Sequence, residues 1–201
     1  MKESATTSTG KRLDRKAELV QIAGQLFAER GFLATTIRDV ADAAGIQSGS
    51  LYHHFTSKES MVEELLQDYW DKLLVRYLAV VARGIDTSEE ARELIRESVL
   101  LIDECRYAVR MMLSDWDYLS RAFPFMEESL RQCQEIWLQV LRRGQESGSF
   151  RADQDPYITY RTIMGSISGT SRWFDPRGPV DVVTLADQIS ALFMEGISER
   201  R

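Results

Sequence analysis

Histidine, cysteine and proline are scarce in this chain of 201 residues, and the shortages exclude whole classes of function. The two histidines, His53 and His54, are neighbours, and none follows them. A zinc site would have to be assembled from carboxylates and two distant thiols, so no metal and no cofactor is expected. A histidine-based nucleophilic site lacks its parts for the same reason. Cys105 and Cys133 are too few for a disulfide framework and read as two buried, reduced thiols. Long apolar runs are missing as well. The charge-free stretches 43–57 and 162–171 fall short of the ~18 apolar residues of a membrane span, and the polar opening MKESATTSTG has no apolar core of the secretory kind. A soluble, cytoplasmic protein with no membrane partner is the expectation.

The charge is uneven. The net charge of −6 divides into eight Lys/Arg against six Asp/Glu in residues 1–58, and 17 against 25 in residues 59–201. Within residues 1–16 the balance is five to two. An acidic body with a slightly basic head fits a polyanion held at one end, although a solvated tail reads the same way.

Almost every periodic segment has the spacing of a helix, and β-branched alternation is nearly absent, so the fold class is all-α. Residues 1–12 are rich in Ser, Thr and Lys and are expected to be a disordered arm. Leu19, Ile22, Ala23, Leu26 and Phe27 form one face of a helix from Asp14 to about Arg30, stopped by Gly31. Thr36 and Asp39 form a capping box for a short helix that Gly45 ends. A second short helix is expected from Gln47 to about Phe55, and Ser57 caps a long one running toward Gly84. Later helices are expected over 88–104, 107–120, 125–146, 155–173 and 181–198. The chain therefore divides into the arm, a three-helix unit over residues 13–58, and a helical bundle over residues 59–201.

The informative stretch is TIRDVADAAGIQSGSLYHHFTSK, residues 36–58. Two short helices flank a tight turn at Ala44-Gly45-Ile46, the layout of a helix-turn-helix over about residues 36–55. The first helix can present N-terminal N–H groups to a phosphate. The second must be slim at its start to enter a major groove about 12 Å wide. Gln47, Ser48, Gly49 and Ser50 meet that need with three small residues and one amide suited to adenine. Tyr52, His53 and His54 follow, with ring groups that can reach phosphates, while Leu51 and Phe55 can pack inward.

The pattern T-I-R-D-V-A-x-A-A-G-I…G-S-L-Y-x-H-F-x-S-K-E resembles the DNA-binding signature of the TetR family of bacterial transcriptional regulators, and the resemblance extends over about residues 15–62. It implies a homodimeric, ligand-released repressor on a palindromic double-stranded DNA operator, and it argues against an enzyme. It implies that Thr36 holds a phosphate, that Gln47, Ser48 and Gly49 approach base edges, that Ser50, Tyr52 and His54 contact the backbone, and that Lys58 anchors a phosphate. Bland readings stand beside these: Tyr52 packed between helices, His54 in a structural hydrogen bond, Lys58 solvated near its cap. The family usually has serine where this chain has Gln47, so either Ser48 caps the second helix or Gln47 is free for bases.

The same resemblance implies a ligand-binding and dimerisation domain whose last two helices pair across a two-fold axis. Gly165 and Gly169 offer a close-approach face there, either to a second copy or to a helix of the same subunit, and Ile189 and Phe193 belong to a wide apolar stripe on the final helix. Met111, Met112, Trp116, Phe123, Trp137 and Met164 are candidates for an adaptable pocket, with Arg106, Arg110, Arg161 and Arg172 as candidate polar handles; ordinary core is the alternative. SGSLYHHF together with Arg172-Trp173-Phe174 and Pro176 is similar to regulators of steroid and fatty-acyl degradation within the family. That likeness implies an apolar or acyl-coenzyme-A-like effector. The competing classes are an enzyme working with carboxylates such as Asp115 and Asp117, and a helical adaptor with a vestigial DNA-binding unit.

Overall fold

The computed structural model describes residues 4–197, with side chains from Arg15 onward. Nine helices are described: α1 (Ser4–Arg30), α2 (Ile37–Ala43), α3 (Ser48–Leu51), α4 (Lys58–Val81), α5 (Thr87–Glu104), α6 (Arg106–Ala122), α7 (Phe125–Glu146), α8 (Pro156–Trp173) and α9 (Val182–Ile197). The all-α expectation holds. Local chemistry sets most of the boundaries. Thr36 and Asp39 bond reciprocally at the start of α2, and Ser57 and Ser60 do so at the start of α4. Asp86 accepts from Ser88 N and Glu89 N ahead of α5, and Asp155 accepts from Ile158 N ahead of α8. Gly31, with φ of 88°, ends α1 in the left-handed region that a side chain disfavours.

Three boundaries differ from expectation. Helix α1 begins at Ser4, so residues 4–12, expected to be a disordered arm, continue the helix; residues 1–3 and 198–201 lie outside the described residues. Helix α3 stops at Leu51 instead of about Phe55, because His53 N and His54 N bond back three residues, to Ser50 O and Leu51 O, and the chain tightens into turns. Helix α6 bends at Asp115, whose φ of −125° and ψ of 25° are non-helical. The preceding hydroxyl, Ser114 Oγ, donates to Arg110 O one turn back, a bond that often accompanies helix bending.

Helix α4 belongs to both halves. Near its start Leu65 lies against Gly24 of α1, where an added Cβ would come within 2.9 Å of Leu65 Cδ2. Farther along, Tyr77 meets Ser98 of α5 and the ring of Trp137 in α7. One apolar cluster runs through both halves, from Leu19 and Phe27 to Leu185 and Met194. In the bundle, Arg96 of α5 reaches Asp187 of α9 at 2.5 Å. The fully buried Glu90 of α5 pairs with Arg143 of α7, and Arg151 N donates to Ile197 O at 3.0 Å, which closes the last helix onto the loop after α7.

That loop fixes one glycine by contact alone. A Cβ on Gly144 would stand 2.1 Å from Phe150 Cδ2, an overlap that forces the buried Phe150 ring out of its place. Gly144→Ala is expected to cost about 1–3 kcal/mol as overpacking, a fall of roughly 3–10 °C in Tm for a chain of this length. An unchanged Tm in thermal denaturation would show that Phe150 is not held against α7.

Candidate nucleic-acid interface and internal cavity

The three-helix unit is tied together from outside the helix-turn-helix. Arg15 Nη2 donates to Ala44 O at 3.1 Å, pinning the turn between α2 and α3 to α1. Lys16 pairs with Glu64 at 2.5 Å and lies 5.4 Å from the centroid of the Phe55 ring. Lys58 Nζ donates to Phe32 O at 2.7 Å and Thr35 O at 2.9 Å and sits 4.1 Å above the Phe32 ring. The ammonium thus caps two carbonyls of the loop between α1 and α2, using two of its three donors inside the protein. Lys58 is therefore not the solvated lysine of the bland reading, and its third donor is left for the phosphate contact expected of it.

The remaining predicted DNA residues form an open surface. Gln47, Gly49, Ser50, Tyr52 and His53 are exposed, and Ser48 and His54 are half-buried. Tyr52 is 59% exposed, which sets aside its packing between helices. Gln47 occupies the N-cap position of α3 and makes no side-chain cap bond, and among the described residues nothing engages its amide. A Cβ on Gly49 would meet nothing within 4 Å. The protein's own packing does not require glycine there, whereas a helix entering a groove would benefit from it. His54 stacks loosely near Phe55, with ring centroids 6.3 Å apart.

Thr36 is more committed than expected. Its Oγ1 donates to Asp39 Oδ2 at 2.6 Å and accepts from Asp39 N, and its own N–H also goes to Asp39. These bonds hold the Asp39 carboxyl below its usual range. The backbone donors left for a phosphate at this helix end are the N–H groups of Ile37 and Arg38. Arg38 is exposed, and among the described residues no ion pair engages it. Sequence reasoning passed over it, although an arginine one residue into a helix that faces a polyanion is the signal that marks it.

The bundle holds a cavity of about 370 Å³ between α4, α6, α7 and α8. Met112, Trp116 and Met164 line it, as expected. Met111 and Trp137 are fully buried and Phe123 nearly so, in packed core outside the lining, and Arg172 is exposed on the surface. The arginine on the lining is Arg161. Tyr69, Trp70, Tyr77 and Tyr160 were missed; each reads in the sequence as part of a core stripe, and only packing separates a lining ring from a core ring. Burial pushes the Tyr160 hydroxyl up to about 12 and that of Tyr77 above its ordinary value, so both stay neutral. Ser98 Oγ donates to Leu94 O, which leaves Tyr77 to donate to Ser98 at 2.6 Å. Burial also raises Cys133 to about 12 and Cys105 to about 11, so neither is a reactive thiolate near neutral pH.

The last two helices leave apolar surface open. Ile158, Trp173 and Leu192 are 65%, 66% and 72% exposed. A Cβ on Gly165 or Gly169 would touch nothing within 4 Å, so the close packing these glycines permit is not used inside the subunit. Ile189 and Phe193 are half-buried and pack against the subunit's own core.

Lys58→Met keeps the stem over Phe32 but strands two carbonyls. It is expected to cost about 1.5–3 kcal/mol, the scale of hydrogen bonds to charged groups, and to lower Tm by roughly 3–10 °C. Tyr52→Ala, on an exposed ring, is expected to leave Tm within 1–2 °C, about the ±0.5 kcal/mol of a surface change. A Lys58→Met protein as stable as the unmodified one would remove the clamp.

The comparisons with known proteins agree with this geometry. Residues 19–65 match the family model "Bacterial regulatory proteins, tetR family", and residues 84–197 match "Tetracyclin repressor-like, C-terminal domain". The chain is 40% identical over 192 residues to the HTH-type transcriptional repressor KstR2 of Rhodococcus jostii, covering 94% of each protein. It superposes on the ketosteroid transcriptional regulator KstR2 of Mycobacterium tuberculosis with a TM-score of 0.89 and 38% identity, covering 92% of this chain and 96% of the other. Both halves of the molecule, with the exposed helix-turn-helix on one and the cavity in the other, make this chain a member of the TetR family of bacterial regulatory proteins.

Proposed function

We propose that the chain is a cytoplasmic transcriptional repressor, a homodimer that holds a palindromic operator and releases it when a small molecule fills the cavity. The observation that carries this reading is the open α3 surface, with the Gln47 amide unbonded, Gly49 unobstructed and Tyr52 exposed. Gln47 reads bases, while Ser50, Tyr52, His53 and the N–H groups at the start of α2 grip phosphates. Ser48 and His54 lie beside them. The dimer forms through α8 and α9, where Gly165, Gly169, Ile158, Trp173 and Leu192 leave open, close-packing surface. Ile189 and Phe193 support that surface from beneath.

The cavity sets the class of effector. Its volume is at the lower end of the usual range for small-molecule sites, and its walls are mostly aromatic and sulfur-bearing. Arg161, exposed on the lining, supplies one positive charge. A largely apolar molecule with an anionic group at its outer end suits that arrangement. The likeness to ketosteroid regulators supports a ring-derived catabolic intermediate, and an acyl-coenzyme-A-like molecule carries the required anion. No enzymatic role is needed to account for these features.

Release follows if the ligand binds better to the conformation that does not fit DNA. Helix α4 begins at the Lys58 clamp and passes the cavity at Tyr69, Trp70, Leu73 and Tyr77, so a ligand that displaces it changes the spacing of the two α3 helices. Those helices must enter grooves one turn, about 34–36 Å, apart.

Footprinting on DNA selected by the protein is expected to show a two-fold symmetric site, and sedimentation a dimer; one asymmetric half-site or a monomer would end this reading. By reciprocity, operator DNA weakens effector binding by the same factor as effector weakens operator binding, typically about 5–150-fold. Trp116→Ala is expected to alter the response to ligand with little change in operator affinity. Equal effector affinity with and without operator would show that the cavity is not the switch.

A further inference from the structure

We propose that the hydroxyls of Tyr69 and Tyr160 are an oxygen-reading pair in the cavity wall, so that the effector carries a neutral oxygen, a carbonyl or a hydroxyl, on the part it buries there. The proposal rests on the effector-binding reading of the cavity and adds the chemistry of the buried end.

Three tyrosines line the cavity, and all are more than nine-tenths buried, with Tyr69 4%, Tyr77 0% and Tyr160 3% exposed. Tyr77 is engaged, since its hydroxyl stands 2.6 Å from Ser98 Oγ. The hydroxyls of Tyr69 and Tyr160 have no hydrogen-bond partner among the described residues. Buried polar groups are normally paired, so two idle phenols on one wall call for a reason. Among the described residues, Trp70 Nε1, Glu90 Oε1 and Trp137 Nε1 are both unpaired and wholly enclosed, and neither phenol oxygen is one of these atoms. Each phenol oxygen therefore keeps an open patch. For rings buried this far, the open space they border is the cavity.

The rings are held in place by packing. Tyr69 lies edge-on to Trp70 with centroids 5.2 Å apart. Tyr160 lies against Trp137 at 6.3 Å, and that indole in turn meets Tyr77 edge-on. Tyr160 is near enough to Tyr69 to act on it electrostatically, so one ligand that fills this void reaches both hydroxyls. Burial raises Tyr160 to about 12 and Tyr69 well above its ordinary value, so both hydroxyls keep their protons and can donate.

Nothing else on the inner wall replaces them. The Trp70 N–H is closed off from the void, and Leu73, Val109, Met112 and Leu130 are apolar. Cys133 offers only a weakly donating thiol. Trp116 and Ser168 are half-buried and Arg161 is exposed, which sets them toward the mouth. Among the described lining residues Arg161 alone is charged, so an anion buried beside Tyr69 and Tyr160 would lack a counter-charge. That costs far more than burying a neutral oxygen. A hydrocarbon in the same place would cover two hydroxyls and pair neither, the penalty by which a site built around an oxygen rejects an analogue that lacks it.

The test uses soluble probes that differ only in oxygen: decanoate and its 5-oxo, 7-oxo and 9-oxo derivatives, each with a carboxylate for Arg161. Binding to the full chain and to Tyr69→Phe, Tyr160→Phe and the double variant is measured by isothermal titration calorimetry. At least one oxo acid is expected to bind the full chain about tenfold or more tighter than decanoate. Each single variant is expected to lose roughly 2–12-fold in affinity for that oxo acid, and the double variant to bind it no better than decanoate. Without any probe, the three variants are expected to melt no lower than the full chain, because no bond inside the protein is lost. A Tm lowered by several degrees would show that the hydroxyls are bonded within the subunit, and it overturns the proposal. So does a set of oxo acids none of which binds more tightly than decanoate, or an oxygen preference that survives in the double variant. Operator release is scored separately by fluorescence anisotropy. An oxo acid that binds through the two tyrosines yet leaves the operator bound ends the switch reading and keeps the oxygen pair, whereas release by decanoate and oxo acids alike keeps the switch and ends the pair.

Discussion

One ammonium group ties the loop that launches α2 to the first turn of α4. Lys58 stands at the first residue of α4, and its Nζ collects the carbonyls of Phe32 and Thr35, which belong to the loop that launches α2. Without it those two oxygens, in a loop whose Phe32 and Thr35 are buried, would lose their charged donor. The Phe32 ring, packed edge-on to Phe27 and 4.1 Å below the ammonium, shields the bonds from solvent. The pose of Thr36, and with it the line from the start of α2 to Gln47, is therefore set by the start of α4. The placement of the helix-turn-helix thus depends on α4 as well as on α1.

This arrangement explains what the sequence could and could not reveal. Caps are local: Thr36 with Asp39, Ser57 with Ser60, and Asp155 before Pro156 signal their helices within four residues, and the helix order follows from them. The helix-turn-helix is legible for the same reason. The Lys58 clamp is not, because its acceptors lie 26 and 23 residues earlier and are backbone atoms, which no side-chain pattern records. The phosphate role expected of that lysine comes from the family resemblance, and its charge alone fits a solvated side chain equally well. The bend in α6 is hidden in a similar way: the Ser114 hydroxyl competes with a backbone bond that the apolar periodicity of the helix suggests is intact. Around the cavity, Met112 and Trp116 stand out by composition. Tyr69, Trp70 and Tyr77 do not, since rings repeating along α4 at helical spacing fit a core and a cavity equally well.

The glycines make the complementary point. Gly24 and Gly144 are small because a neighbour in the same subunit leaves no room. Gly49, Gly165 and Gly169 face open space, and none of the three needs a positive φ. In a helix such a glycine costs roughly 0.5–1 kcal/mol relative to alanine. Gly49 lies on the face proposed to meet DNA and Gly169 on the face proposed for a second copy, whereas Gly165 opens onto the cavity lining and Gly196 is open as well.

The Phe32 ring has a further neighbour, and it limits what α4 can do. Beyond the Asp115 bend, Tyr118 of α6 packs on Phe32 with ring centroids 5.5 Å apart, so the ring beneath the Lys58 ammonium also touches the helix that lines the cavity. Trp116, on that lining, is two residues from Tyr118. If α4 alone tilted, Phe32 would have to slide against Tyr118 or part from Lys58, and either loses contacts made in this conformation. If α6 moved with α4, both contacts could persist and the whole three-helix unit would turn as a body. Close-packed contacts of this kind favour the second course, because they deform little and switch between discrete arrangements. The Asp115 bend supplies the compliance: the cavity-lining stretch around Val109 and Met112 can stay seated while the segment bearing Trp116 and Tyr118 follows the DNA unit.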